Sequence, residues 1–138
     1  MLFRSTIKQA LREGDAIGRV GGDEFLVIMV NACEAGAAAV AERIRVAVNN
    51  SVVMHKNKRL RIHVSAGVAA TGSDGSRVDS ATALIAEADA ALLAVKRDGR
   101  NAVGTASGVS PTSMNHVPQT VKAQQLGGVT AVSSGLGV

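Results

Sequence analysis

The chain has 138 residues, of which 46% are hydrophobic and only 1% are aromatic, with 15 Lys and Arg against 11 Asp and Glu. This length and apolar content suit one folded domain with an aliphatic core and exclude a wholly disordered chain. The scarcity of aromatic residues disfavours nucleic-acid modules that stack bases on aromatic side chains, whereas a net charge of +4 suits a phosphate-bearing ligand.

Cysteine usage and hydropathy narrow the class of protein further. Cys33 is the only cysteine, which excludes an intrachain disulfide and a cysteine-based zinc site. No uninterrupted apolar run reaches membrane-spanning length, and the first eight residues lack the apolar core of a signal peptide. We therefore expect a cytoplasmic protein without a membrane segment.

The first half of the chain alternates between helical and strand patterns. Apolar residues at helical spacing predict a helix over residues 2–11, which Gly14 would end. Two short apolar runs, residues 16–20 and 25–30, flank a glycine-containing turn and predict a β-hairpin. A second helix is predicted over residues 34–49, where apolar residues recur every three or four positions.

The second half continues the alternation. Apolar and polar residues alternate over residues 60–68, which predicts a half-buried strand. Asp79 or Ser80 can cap a last helix that runs to about Val95, and residues 101–103 could add a short edge strand. The resulting order α-β-β-α-β-α-β predicts an α/β fold in which helices flank a sheet that contains an antiparallel hairpin.

The composition changes sharply near residue 104. Both prolines lie beyond this point, and residues 104–138 contain no Asp, no Glu and no aromatic residue. A segment dominated by Ser, Thr, Gly and Val has little with which to offset the entropy of ordering itself. We therefore expect one folded domain over residues 1–103, followed by a flexible tail over residues 104–138.

The turn of the predicted hairpin carries the strongest chemical signal. Gly21 and Gly22 leave room for a bulky group to approach, because neither has a Cβ atom. Asp23 and Glu24 follow at once, and Mg²⁺ favours such hard oxygen ligands together with the phosphates of a substrate. The pattern indicates a metal–phosphate site, although a polar hairpin tip without a ligand would use the same residue types.

Short motifs of this chain resemble, in order and spacing, those of the GGDEF family, the diguanylate cyclase domains. Residues 19–25, with the sequence RVGGDEF, are similar to the family signature, and residues 12–15 resemble the inhibitory RxxD motif that precedes it. Four further segments match the family after the signature: residues 41–45, 64–69, 88–92 and 96–101. The resemblance spans residues 2–103 and implies a nucleotidyl-cyclase-like sheet with flanking helices.

The resemblance implies a diguanylate cyclase of bacterial second-messenger signalling. In such an enzyme two GTP-bound subunits meet, and the 3′-hydroxyl of each GTP attacks the α-phosphate of the other, releasing pyrophosphate and forming cyclic di-GMP. By the same resemblance Asp23 and Glu24 are catalytic residues that bind Mg²⁺ or Mn²⁺. Gly21 and Gly22 would let the backbone of the turn pass close to the GTP substrate. The implied protein is a homodimer with no nucleic-acid partner.

The resemblance also assigns five charged residues to nucleotide binding. Lys96 and Arg100 would bind the terminal phosphates of GTP, whereas without the resemblance they would be read as a solvated helix end. Arg12 and Asp15 would bind the product, cyclic di-GMP, together with Arg43 from the following helix. Binding of product at these three residues would inhibit the enzyme by feedback. The alternative is an exposed Arg followed by an Asp in a turn.

The resemblance does not include the opening strand of the family. In the family that strand carries an Asp metal ligand and precedes a Phe-Lys-x-x-Asn-Asp stretch and a helix that recognise guanine, whereas Met1 falls inside what looks like the second family helix. We therefore expect an unpaired strand edge at the centre of the sheet, and little or no cyclase activity from this chain. Three hypotheses stay open: a cyclase, a catalytically inactive cyclic di-GMP receptor, and a non-functional fragment of a longer cyclase.

Overall fold

The computed structural model of the protein describes residues 2–71, 80–108 and 129–137. In this part of the chain three helices alternate with seven strands. The helices are α1 (Leu2–Ala10), α2 (Glu34–Asn50) and α3 (Ala81–Arg97). The strands are β1 (Ala16–Gly21), β2 (Glu24–Val30), β3 (Val52–His55), β4 (Lys58–Arg61), β5 (His63–Ala70), β6 (Val103–Thr105) and β7 (Val129–Gly137).

Five of the strands form one sheet in the order β1-β2-β7-β5-β6, and β3 and β4 pair as a separate antiparallel ribbon. β7 is antiparallel to both of its neighbours, whereas β6 runs parallel to β5 at the edge of the sheet. Residues of α1 and α2 pack in the core on one face of the sheet, and residues of α3 pack on the other face. The predicted α/β fold with flanking helices and an antiparallel hairpin is confirmed.

The centre of the sheet is occupied by β7, which pairs with β2 over residues 129–135 and with β5 over residues 130–137. The composition of residues 104–138 predicts a flexible tail, and the resemblance predicts an unpaired strand edge at the centre of the sheet. In the described residues the structure differs on both points, because residues 129–137 form a strand that pairs with β2 and β5. The Ser- and Gly-rich segment has no strand periodicity, but its backbone N–H and C=O groups can pair with two strands at once. Of the expected tail, residues 109–128 and residue 138 lie outside the described part.

The predicted helices and the first hairpin are present with bounds that differ by one or two residues. Gly14 does not end α1, which stops at Ala10; it lies instead, with φ of +95°, in the following turn, which the Asp15 N–H closes by donating to the Arg12 carbonyl. The sulfur of Cys33 accepts a backbone N–H at 3.4 Å as the N-cap of α2, and the hydroxyl of Ser80 accepts one at 3.1 Å as the N-cap of α3. Asp79, the alternative cap, lies outside the described residues.

The strand predicted over residues 60–68 is divided between two strands. Its beginning belongs to β4, which forms an unpredicted hairpin with β3, and its remainder belongs to β5, which is buried on both faces rather than one. The face that was expected to be polar lies under α3, and a Cβ atom on Gly67 would come within 2.1 Å of the Ala88 carbonyl oxygen. Glycine at this position therefore indicates close approach of a helix rather than exposure to solvent.

Candidate functional site

The tip of the β1–β2 hairpin carries the four residues that the sequence singles out most strongly. The turn joins Gly21 to Glu24, which are paired in register, and Asp23 is exposed. Neither Gly21 nor Gly22 has a positive φ, and a Cβ atom on Gly22 would meet nothing within 4 Å. The fold therefore does not require glycine at position 22, and the backbone of this turn is open to a ligand.

An arginine that the sequence analysis did not single out holds this turn. Both Nε and Nη2 of Arg19 donate to the carbonyl oxygen of Gly22, at 2.8 and 2.5 Å. Two donors from one rigid guanidinium fix the position of the acceptor more firmly than one donor does. The sequence pattern that indicates this role is an arginine two residues before a Gly-Gly turn, because its long side chain can reach the carbonyl groups of the turn.

The last turn of α3 meets the hairpin tip. Lys96 Nζ lies 3.3 Å from Glu24 Oε1, and the two side chains are 32% and 47% exposed. The structure thus brings together two of the predicted site residues, 72 positions apart in the sequence. Arg100 lies exposed in the turn that follows α3, four residues after Lys96.

The turn that carries Arg100 has an unusual backbone. Gly99, Arg100 and Asn101 have φ values of +114°, +64° and +50°, so three successive residues occupy the left-handed region. The Arg100 backbone N–H donates to the carbonyl of Val95 at 2.9 Å, and the Asn101 N–H donates to the hydroxyl of Ser65 at 3.0 Å. These hydrogen bonds hold a strained turn in one conformation.

A second arginine reaches the same turn from α2. Arg45 Nη1 donates to the side-chain oxygen of Asn101 at 3.3 Å, while Nε and Nη2 form a bidentate pair with Glu42 at 2.8 and 2.6 Å. The hydrogen bonds that Arg45 donates to the Glu42 carboxylate are the main reason that the pKa of Arg45 is raised above its ordinary value. Arg45 lies in residues 41–45, which resemble the family, but the resemblance implies no role for it.

The other end of the β1–β2 hairpin borders a cavity of about 450 Å³. Arg12, Asp15 and Arg43 all line it, together with the single cysteine, Cys33. The structure therefore brings the three residues predicted to bind product around one cavity. Since β1 has six residues at roughly 3.3 Å each, this cavity lies about 20 Å from the hairpin tip.

Internal contacts orient the charged groups of this cavity. The Asp15 side chain is 3% exposed and accepts from the Arg12 backbone N–H at 3.2 Å, and Arg12 Nε lies 3.7 Å from its other oxygen. Arg12 Nη2 donates to the carbonyl of Val30 at 2.8 Å, and its side chain is 61% exposed. Arg43 Nη2 donates to the carbonyl of Ala10 at 3.0 Å. Both guanidinium groups retain further N–H donors for a ligand.

The carboxylates at the hairpin tip supply an incomplete set of metal ligands. Within residues 2–71, 80–108 and 129–137, no three His, Cys, Asp or Glu residues are grouped to hold a metal ion. Asp23 and Glu24 offer carboxylate oxygens, Glu24 is already paired with Lys96, and its register partner on β7 is Gly135. Mg²⁺ commonly takes one or two carboxylates and completes its shell with phosphate and water. The pair therefore fits a cation held jointly with a phosphate ligand.

The helices of the described part include none that is long and apolar enough to cross a membrane.

Comparison with curated proteins finds diguanylate cyclases and a response regulator. The chain is 38% identical over 97 residues to diguanylate cyclase A of Treponema denticola, covering 70% of this chain and 25% of that protein. It is 39% identical over 103 residues to the response regulator PleD of Caulobacter vibrioides, covering 73% and 22%. The chain thus spans about a quarter of the length of these relatives.

Two solved structures share the fold. One is the GGDEF domain of DgcB from Caulobacter crescentus in complex with c-di-GMP, with a TM-score of 0.68 and 31% identity over 76% of this chain and 61% of that one. The other is the diguanylate cyclase SiaD in complex with its activator SiaC from Pseudomonas aeruginosa, with a TM-score of 0.65 and 32% identity over 75% and 38%. The family model described as "Diguanylate cyclase, GGDEF domain" matches residues 1–102. The chain belongs to the GGDEF family of diguanylate cyclase domains.

Proposed function

We propose that this protein acts in cyclic di-GMP signalling and that it binds cyclic di-GMP in the cavity at the base of the β1–β2 hairpin. One observation carries the proposal: Arg12, Asp15 and Arg43 line the same cavity, although they come from the segment between α1 and β1 and from α2. These are also the residues that the family resemblance assigns to product binding.

The chemistry of these side chains suits a cyclic dinucleotide with two phosphodiester charges and two guanine bases. The guanidinium groups of Arg12 and Arg43 can donate to phosphate oxygens or to guanine O6 and N7. The carboxylate of Asp15 can accept from the N–H groups of guanine. Because this carboxylate is almost fully buried and held by Arg12, little ordering is required of it when a ligand binds. The DgcB domain in complex with c-di-GMP supports the choice of ligand.

Isothermal titration of the full chain with cyclic di-GMP tests this proposal. We expect Arg12→Ala and Arg43→Ala each to weaken binding on the order of tenfold or more, because each removes charge-assisted hydrogen bonds. Arg4→Ala, which removes an exposed arginine from α1 outside the cavity lining, is the matched control and should bind as the parent does. A parent chain that unfolds cooperatively but does not bind the dinucleotide would overturn the proposal.

A second candidate function is condensation of two GTP molecules into cyclic di-GMP, which the hairpin tip favours. We propose that Asp23 and Glu24 would hold Mg²⁺ or Mn²⁺ together with GTP phosphates, and that Lys96 and Arg100 would bind the terminal phosphates. The open backbone at Gly22 supports close approach of the nucleotide. A bound metal ion would supply charge neutralisation on the phosphates and a lower pKa for the attacking hydroxyl.

The same residues argue for low activity. Glu24 is paired with Lys96, and its β7 register partner Gly135 contributes no carboxylate. For Glu24 to bind a metal ion, Lys96 would have to leave this ion pair and turn toward the nucleotide phosphates. The ion pair is half exposed, so this exchange costs little. The reaction also requires two GTP-bound sites to meet, which implies a homodimer.

Mass-spectrometric detection of cyclic di-GMP after incubation with GTP and Mg²⁺ tests the second candidate. If the hairpin catalyses condensation, the parent forms product, whereas Asp23→Ala and a chelator-treated sample form none. Arg4→Ala again serves as the control and should retain any activity of the parent. Equal product from the parent and Asp23→Ala would overturn the assigned role of the hairpin. Absence of product from a folded parent that binds cyclic di-GMP would favour the receptor function.

A further inference from the structure

The β3–β4 hairpin stands apart from the main sheet as a two-stranded ribbon. Its strands are joined by a two-residue turn at Lys56 and Asn57, with φ values of +46° and +61°. Two positive φ values in a two-residue loop match the twist of an antiparallel hairpin. The ribbon is therefore a regular, well-specified element and not an irregular loop.

The ribbon carries a concentrated positive charge. Residues 52–61 contain Lys56, Lys58, Arg59 and Arg61, and they contain no Asp or Glu. These four cations equal the formal net charge of the whole chain, +4, so the remaining Lys and Arg are balanced by acidic residues. All four are exposed, and none forms a salt bridge with the parts of the chain that the structure describes.

Register places two arginines and two apolar residues on one face of the ribbon. Val52 lies directly opposite Arg61, and Met54 lies directly opposite Arg59, so these four residues share a face. Val52 is 53% exposed and Met54 is 60% exposed. We call this surface, formed by Val52, Met54, Arg59 and Arg61, the basic ribbon face. The opposite face carries the half-buried pair Val53 and Leu60.

We propose that the basic ribbon face docks on the surface of an anionic phospholipid bilayer. Cations attract the negative headgroups, and exposed aliphatic side chains between the cations can enter the boundary between headgroups and acyl chains. A bilayer presents both components in one plane, which matches a ribbon face with both kinds of side chain. Nucleic acid would use the cations alone, since this face has no aromatic side chain to stack on bases.

Co-sedimentation of the full chain with vesicles tests this proposal. We expect binding to phosphatidylcholine vesicles that contain phosphatidylglycerol, weaker binding at high salt, and none to phosphatidylcholine alone. The double variant Arg59→Gln/Arg61→Gln should lower the partition constant on the order of tenfold, because two cations leave the surface. Met54→Ser keeps the charge and should also weaken binding.

A matched control separates this face from the overall charge. Arg4→Gln/Lys8→Gln removes two exposed cations from α1 and should leave the partition constant nearly unchanged. Thermal unfolding of each variant checks that the fold is kept. Equal binding to neutral vesicles, or equal losses in the two double variants, would overturn the proposal. Binding to a poly-glutamate peptide without binding to anionic vesicles would overturn it in favour of an acidic protein partner.

Discussion

The ammonium group of Lys96 lies 3.3 Å from the carboxylate of Glu24, and this ion pair joins the end of α3 to the tip of the β1–β2 hairpin. Glu24 belongs to β2, whereas α3 packs on β5, and the central strand β7 lies between β2 and β5. Gly135 of β7 is opposite Glu24 on one side and opposite Ser65 of β5 on the other. Two candidate site residues, Glu24 and Lys96, are therefore brought together by elements on either side of β7, and their relative position depends on this strand.

Replacing Lys96 should separate binding from stability. The Lys96–Glu24 pair is partly exposed, so Lys96→Met should change the free energy of unfolding by less than about 1 kcal/mol. If Lys96 serves GTP phosphates, the same variant should bind GTP several times more weakly than the parent. Thermal unfolding and titration with GTP measure the two effects, with Lys8→Met as the control. Destabilisation without any change in GTP affinity would assign Lys96 a structural role alone.

Among the glycines of β1, β5 and β6, Gly67 is expected to be the least replaceable. A Cβ atom there would lie 2.1 Å from the Ala88 carbonyl oxygen and 2.3 Å from the Leu92 nitrogen, both backbone atoms of α3. Gly67→Ala should therefore push α3 away from β5 and cost about 3 kcal/mol or more. Gly18→Ala, where a Cβ atom meets nothing within 4 Å, should be close to neutral in the same urea unfolding measurement. Similar midpoints for the two variants would contradict this packing.

Deleting residues 129–138 should abolish the cooperative thermal transition, because β2 and β5 would both lose their central partner. Deleting residue 138 alone should leave the transition unchanged. The substitution Ser133→Pro offers a finer test, since proline cannot donate to either neighbouring strand and is poorly tolerated in a central strand. A cooperative transition at the parental temperature in the long deletion would show that β7 is dispensable.

Cys33 provides a direct probe of the proposed cyclic di-GMP site. It is exposed, it is the only cysteine in the chain, and it lines the cavity with Arg12 and Arg43. Cyclic di-GMP should slow alkylation of this thiol by a maleimide, in proportion to the fraction of protein that is bound. The protection should be lost in Arg43→Ala. A labelling rate that saturating dinucleotide does not alter would argue that the ligand binds elsewhere.

At Asn101, substitution by glycine should lower the stability of the fold less than substitution by alanine does. Asn101 has φ of +50°, and its side chain accepts from Arg45. Asn101→Gly removes that hydrogen bond, but glycine adopts a positive φ without strain. This variant should therefore lower the free energy of unfolding by roughly 0.5–1.5 kcal/mol. Asn101→Ala loses the same bond and adds about 1 kcal/mol or more for a left-handed residue with a Cβ atom. Urea unfolding measures both, and a more stable Ala variant would contradict the strained turn.

The local elements could be predicted from the sequence because their signals lie within a few residues of each other. The hairpin over residues 16–30 and the helices α2 and α3 follow from apolar spacing and turn residues. The candidate site residues within the signature at residues 19–25 and the RxxD motif at residues 12–15 came from the resemblance of these short motifs to the family. Each of these patterns needs no knowledge of what packs against it.

The remaining features depend on contacts between distant segments. Residues 129–137 lack the alternation of apolar and polar residues that marks a half-buried strand, and their place in the sheet is set by hydrogen bonding to β2 and β5. The alternation around Gly67 looked half-exposed until α3 was placed against it. The pairing of Lys96 with Glu24 likewise joins residues far apart in the chain. The sequence by itself determined the three helices and the β1–β2 hairpin, because their signals are local. Only the tertiary structure decided that β7 fills the centre of the sheet and that Lys96 meets Glu24, since these contacts join segments far apart in the chain.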